Sequence, residues 1–306
     1  RGAPSPRRQL ETDSVDHLLA RLRVDDRSIR LDCTPAWLRA HRHRLAVCGV
    51  HLATPEEVAH QGFTQDAIVP DAPLRVAARH GELIARFVAA PDTPAGLCLG
   101  FGRLPDSGRV VADARAEAWA PGFAPHHGSR YRLGPHTARL VDVLSAPAGS
   151  RTTTVVDPRL KQYSERLHAD RVGLHYDNVW TSGGEGERFP RDVRVASADR
   201  RVIHNMGPGP RSLVVALTMS SLHLSDRVSP GDGRNIPTTR QLRDFLTGNP
   251  DEVEKIVCVV WTIEVGELVV LPAGIALHDG SMEGRRKASD ALVFAGHFPR
   301  RAFFEG

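Results

Sequence analysis

Two hydrophobic rhythms divide the chain. Val15, Leu18, Leu19 and Leu22 recur at helical spacing behind Ser14 and predict a first helix. A second helix is predicted over 35–50, and Val76, Leu83, Ile84 and Phe87 continue the helical character over 74–89. Between them, Thr54-Pro55-Glu56-Glu57 supplies a cap, a proline at the first helical position and early acidic charge, which mark another helix start. From about residue 96 short apolar runs, 97–101 and 109–112 first, alternate with Gly and Pro and predict strands. Residues 121–135, with adjacent His126 and His127, read as a loop with solvated histidines. Further strands are predicted over 152–156, 171–180, 201–206, 212–219, 257–265, 267–271 and 291–298, with short helices over 238–246 and 251–256.

Many short strands with Gly/Pro turns predict a mainly β fold with α elements, a sandwich or jelly roll. The expected organisation is a flexible end over 1–13, a helical region over 14–94 packed on the core, and a β catalytic core over 95–306 interrupted by an insert around 221–254.

At 306 residues the chain is long enough to bury a large core, and 41% hydrophobic with 25% charged residues is an ordinary globular balance, which argues against wholesale disorder. Lysine occurs only at 161, 255 and 287, so the basic charge is almost all arginine, interspersed with acids to a net charge of +4. Without basic runs interleaved with aromatics, nucleic acid is not an expected partner. No apolar run is long enough to cross a membrane. Cys33, Cys48, Cys98 and Cys258 lack metal-binding or redox spacing and read as buried, reduced thiols of a cytoplasmic protein. The first residues lack an initiator Met and an apolar signal core, and read as a trimmed or tag-adjacent end.

The candidate chemistry lies in the stretch RVGLHYDNVW at 171–180. On a strand, residues two apart project to one face, so His175 and Asp177 point together at a spot that could hold a metal. Such a pair is short: with fifteen histidines in the chain, about two His-x-acid matches are expected by chance. The competitors are His80-Gly-Glu82, in a helical pattern, and His168-Ala-Asp170, in a polar run. On a helix such pairs do not share a face, whereas His175 and Asp177 are flanked by Val172, Leu174, Val179 and Trp180. A structural alternative is a strand histidine hydrogen-bonded to a neighbouring acid.

A divalent iron needs a further ligand and open positions. The turn–strand–turn Gly266-Glu-Leu-Val-Val-Leu-Pro-Ala-Gly274 delivers His278, and then come Arg285-Arg286-Lys287, Ser289 and a last apolar strand. His278 could instead be a rim histidine, and His297 is the rival distal ligand, although it follows the basic cluster.

Taken in this order, these residues resemble the Fe(II)- and 2-oxoglutarate-dependent oxygenases over roughly the second half of the chain. The resemblance implies a cupin-like double-stranded β-helix, with His175, Asp177 and His278 matching the iron ligands. It also implies a basic residue on the strand after the distal histidine for the far carboxylate of 2-oxoglutarate. Arg286 is placed first, because a guanidinium suits a carboxylate; Arg285 and Lys287 would face the other way on a strand. The family's Ser two places on is Ala288 here, and only Lys287 has that spacing, to Ser289. Asn205 and Arg211 lie on expected central strands and could contact the co-substrate or the substrate, or could be a strand-end and a turn residue. Tyr176 and Trp180 could line the pocket or belong to the core.

The activity implied is oxidative decarboxylation of 2-oxoglutarate by O2 to succinate and CO2, coupled to hydroxylation of a small molecule such as an amino acid, peptide or antibiotic intermediate. Asp177, where related halogenases have Gly or Ala, argues against halogenation. Desaturation and ring closure stay open. Two alternatives stand beside this reading: a cupin-like metal enzyme that does not use 2-oxoglutarate, and a jelly-roll binding module without catalysis.

Overall fold

The computed structural model describes residues 15–104, 108–124, 127–146, 148–149, 171–177, 199–228, 237 and 239–304. The described chain is mostly β. Its strands are β1 (Arg30–Asp32), β2 (Leu45–Cys48), β3 (Val50–Leu52), β4 (Phe63–Pro70), β5 (Leu74–Arg75), β6 (Cys98–Arg103), β7 (Arg130–Leu133) and β8 (His136–Ala146). There follow β9 (Arg171–Gly173), β10 (Asp199–Pro208), β11 (Arg211–Ser220), β12 (Cys258–Ile263), β13 (Glu267–Leu271), β14 (Ala276–Ser281) and β15 (Ser289–His297).

Seven strands form a mixed sheet in the order β1-β6-β13-β10-β15-β8-β7, and five form a second sheet, β14-β11-β12-β2-β5. The two are arranged as in a jelly roll. Alternation along each strand explains why: Ile203, Val269, Leu271 and Val293 of the large sheet share one buried cluster with Leu213, Val215, Val259 and Trp261 of the second. The intervening residues cover the outer faces. Val202, Leu268, Leu292 and Phe294 pack on Ala114 and Ala118 of the helix Gly108–Ala118, while Val214, Ala216, Cys258 and Val260 pack with Leu242 and Leu246 of the helix Thr239–Gly248. With both faces covered, the strands read as nearly continuous apolar runs.

The predicted strands over 201–206, 212–219, 257–265, 267–271 and 291–298 correspond to β10, β11, β12, β13 and β15. The strand expected over 152–156 lies outside the described residues, as do His126 and the pair His168 and Asp170.

The first third is not mostly helical. The helix expected over 35–50 spans Pro35–His41, capped by the Thr34 hydroxyl, which accepts from the Trp37 amide at 3.1 Å. Beyond it β2 joins the second sheet by pairing with β12, because Leu45 and Val47, two residues apart, project to one face and are buried in the interior. The pattern over 74–89 contains β5, a 3-10 turn over Ala78–His80 and a short helix, Gly81–Ala85. By contrast, Thr54 does start a helix, Pro55–Gln61, with a complete capping box to Glu57.

The strand expected over 109–112 is instead the start of the helix Gly108–Ala118. Four residues are too few to reveal the alanine-rich run whose Ala114 and Ala118, four apart, are both buried. The loop expected over 121–135 contains β7, which pairs with β8 through a tight turn where Gly134 has φ 59°. All four cysteines are buried free thiols. Among the described residues no helix is long and apolar enough to cross a membrane.

Candidate metal centre

Gly173, at the end of β9, has φ 67°, and a β-carbon there would meet the Ile68 carbonyl oxygen at 2.2 Å, so only glycine lets the chain turn here against β4. The next residues alternate. Leu174 and Tyr176 are buried in the cluster outside the second sheet, leaving His175 and Asp177 to project the other way. Tyr176 is therefore a packing residue, and Trp180 lies outside the described residues.

Backbone hydrogen bonds fix both side chains. The His175 amide donates to the His278 carbonyl and the His278 amide to the His175 carbonyl, each at 3.0 Å, and the Asp177 amide donates to the Ala273 carbonyl at 2.9 Å. This short antiparallel bridge joins the segment after β9 to β14. β14 itself was not foreseen: its Gly- and Asp-containing sequence hides a strand that pairs with β11.

His175 Nε2 stands 3.5 Å from Asp177 Oδ1, and His278 Nε2 stands 3.7 Å from Asp177 Oδ2. One ligand atom from each of the three residues lies within 4.8 Å of the others. Adjacent ligands on one octahedral ion stand about 3 Å apart, so small side-chain shifts would bring these atoms to that spacing. Nδ1 of His175 is 2.9 Å from the Gly173 carbonyl and Nδ1 of His278 is 2.9 Å from the Ala276 carbonyl. A carbonyl only accepts, so each Nδ1 carries the proton and each Nε2 is the nitrogen available to an ion. The donor set and tautomers fit a divalent metal.

The charges describe the metal-free state, and a bound ion would displace the proton from His175 Nε2. Burial opposes ionising Asp177, but the Arg201 guanidinium, the hydrogen bond from His175 and both imidazoles outweigh it and hold the carboxyl well below its usual range. Arg201 Nη1 is 2.7 Å from Asp177 Oδ2. Burial also opposes protonation of His175, yet the Asp177 hydrogen bond and the charges of Asp177 and Asp279 push it up to about 9. Burial dominates at His278 and takes it down to about 4.

The three side chains open into a cavity of about 160 Å³ between the sheets, lined also by Asp142, Arg201, Arg211 and Val293. Burial raises Asp142 to about 6. Arg211 is 2% exposed; burial lowers it to about 10, against the charges of Asp290 and Asp279. No motif in the sequence marks Arg201. The available signal was a charge in the inward phase of β10, two residues from the buried Ile203.

Of the residues expected to contact 2-oxoglutarate, Arg285, Arg286, Asn205 and Ser289 do not line this cavity. Arg286 is exposed in the turn before β15. Arg285 donates from Nη2 to Ser212 Oγ at 2.8 Å and Thr262 Oγ1 at 2.6 Å, a cross-strand pair alternating with the interior residues Leu213, Trp261 and Ile263. Its guanidinium head thus lies outside the second sheet. Asn205 is buried and structural: Nδ2 donates to the Gly209 and Ile263 carbonyls, and Oδ1 accepts from the Gly207 amide and Ser289 Oγ, at 2.9–3.0 Å. Ser289 is the last of these partners. His297 ends β15 and is not among the clustered ligands.

No family model matches the chain, and no curated protein does. Among solved structures, it is similar to one described as the Kdo hydroxylase KdoO, a non-heme Fe(II) alpha-ketoglutarate-dependent dioxygenase in complex with cobalt(II). The likeness covers 67% of this chain and 82% of that one, at 13% identity and a TM-score of 0.31. A likeness that slight carries no argument about function.

Proposed function

We propose that the protein is a non-haem Fe(II)- and 2-oxoglutarate-dependent oxygenase that hydroxylates a small molecule, with His175, Asp177 and His278 as the iron ligands. The observation that carries this reading is the convergence of two Nε2 atoms and one carboxylate at the mouth of a jelly-roll interior. Strand order supports a double-stranded β-helix. Four strands run β8-β15-β10-β13 in one sheet, β14-β11-β12 face them, and the His175 bridge adds the segment after β9 to the edge of β14.

Bound iron would supply O2 activation coupled to decarboxylation of 2-oxoglutarate. The protein's own groups do the rest. The Gly173 and Ala276 carbonyls hold the imidazoles in the ligating tautomer, and Arg201 keeps Asp177 ionised and oriented. Arg211, buried on the cavity wall, is the guanidinium suited to the far carboxylate of 2-oxoglutarate, replacing Arg286 in that role. His175, Asp177 and His278 would hold the iron from one side, leaving it accessible to 2-oxoglutarate and O2 from the cavity.

A second reading, a metal-dependent jelly roll that does not use 2-oxoglutarate, is favoured by the positions of Arg285 and Arg286 outside the cavity. The two readings separate on one assay. Aerobic incubation with Fe(II) and 2-oxoglutarate, followed for succinate, should give slow iron-dependent turnover even without substrate. Tightly held iron with no succinate above the protein-free control would favour the second reading.

A further inference from the structure

Beside the metal cavity lies a larger cleft of about 460 Å³, lined by four arginines and, among the described residues, by no acid. Its other lining residues are small or polar, Ala138, Ala273 and Ala295 among them, so the volume is left open. Arg201 and Ala273 connect the two sites: Arg201 lines both cavities, and the Ala273 carbonyl holds the amide of Asp177.

The register explains how the arginines are placed. Arg130 pairs with Arg139 across β7 and β8, Arg139 with Ala295 across β8 and β15, and Ala295 with Arg201 across β15 and β10. Directly paired residues share a face, so Arg130, Arg139 and Arg201 form a row on the inner face of the sheet. Arg139 and Arg201 are two strands apart, about 10 Å between backbones at the usual strand spacing. Like charges placed directly opposite, as Arg130 and Arg139 are, oppose pairing unless an anion lies between them.

The four guanidinium groups are not equivalent. Arg200 is buried and spends its donors on the Phe298, Pro299 and Cys98 carbonyls. Arg201 is committed to Asp177. Arg130 and Arg139 are exposed, and among the described residues no carboxylate pairs with either. Among the described residues they are the two cleft guanidinium groups left for a ligand.

We infer that the substrate is an oxyanion-bearing small molecule whose carboxylate or phosphate is held by Arg139 and Arg130, with the rest of the molecule extending past Arg201 toward the metal ligands. This rests on the oxygenase reading for its chemistry, but the anion site itself stands on the cleft alone. Planar guanidinium groups bind either oxyanion through paired hydrogen bonds, and the two exposed positions let a substrate enter from solvent.

The test is calorimetric titration of metal-stripped protein with inorganic phosphate, benzoate and, as the neutral control, benzamide. Stripping the metal, and repeating in His175→Ala, keeps the outcome independent of iron chemistry, which the succinate assay tests separately. Phosphate or benzoate should bind where benzamide does not, and the tighter of the two names the group. The double variant Arg130→Gln/Arg139→Gln should weaken that binding at least tenfold with an unchanged unfolding midpoint, and Arg139→Lys should retain part of it. Failure of both anions to bind, binding equal to benzamide, or an affinity the double variant leaves intact would overturn the proposal.

Discussion

His175 and His278 are locked to each other through their backbones, amide to carbonyl in both directions at 3.0 Å, with their rings 4.9 Å apart. Each imidazole is further tied by Nδ1 to the carbonyl two residues before it. A pair held so rigidly, with both Nε2 atoms near one carboxylate, is preorganised for an ion.

Removing either imidazole should therefore cost metal affinity before stability. His175→Ala and His278→Ala are each expected to weaken Fe(II) binding by at least about tenfold, the scale of losing an oriented ligand or its support. His297→Ala should leave it unchanged. Equilibrium dialysis with Fe(II) or Co(II) reads all three, and loss in His297→Ala alone would reassign the distal ligand.

Arg211→Gln is expected to raise the 2-oxoglutarate concentration needed for half-maximal succinate formation by about tenfold or more, since hydrogen bonds to a charged partner contribute about 1.5–3 kcal/mol. Arg286→Gln, altering an exposed turn residue, should leave it within about twofold. The reverse outcome would return the co-substrate contact to the turn before β15.

Asn205→Ala should be a stability variant. It removes a side chain with four hydrogen bonds and strands the buried Ser289 hydroxyl and the Gly207 amide. The expected loss is about 2–4 kcal/mol, read from the urea midpoint. A change below about 0.5 kcal/mol would mean that Asn205 does not pin the β10–β11 turn.

A pH effect on stability is expected far from the metal centre. Hydrogen bonding to Asp71 raises His51, against burial and with help from Glu57; Nδ1 is 2.7 Å from Asp71 and Nε2 is 3.0 Å from Glu57. Because the folded value exceeds the unfolded one, His51 stabilises the fold below its unfolded value, near pH 6.5, and loses this as pH rises through the raised one. The thermal midpoint of His51→Ala should fall further below wild type at about pH 6 than at about pH 9. An equal gap at both would show that the imidazolium contributes nothing.

The strands that bury both faces were legible as apolar runs, and so was the pairing of His175 with Asp177, because a two-residue period survives translation into sequence. The β2 segment was not: it follows closely on the capped helix Pro35–His41, and only pairing with β12 makes Leu45–Cys48 a strand. Arg211 was seen as one of several polar residues near central strands. That its side chain shares the interior phase of Leu213 and Val215, and not the outer phase of Val214 and Ala216, depends on the register of β11, which pairing rather than composition sets. Arg285 shows the opposite: its position after the distal histidine suggested a co-substrate contact, and its side chain crosses to the outer face of the second sheet.

The central claim is that His175, Asp177 and His278 hold iron in a form that 2-oxoglutarate can chelate. The most direct measurement is anaerobic titration of the metal-free protein with Fe(II) and then 2-oxoglutarate, followed in the visible range. The account predicts a weak charge-transfer band that requires both additions and is absent in His175→Ala and His278→Ala. No band despite tightly bound iron, or a band unaffected by either substitution, would contradict it.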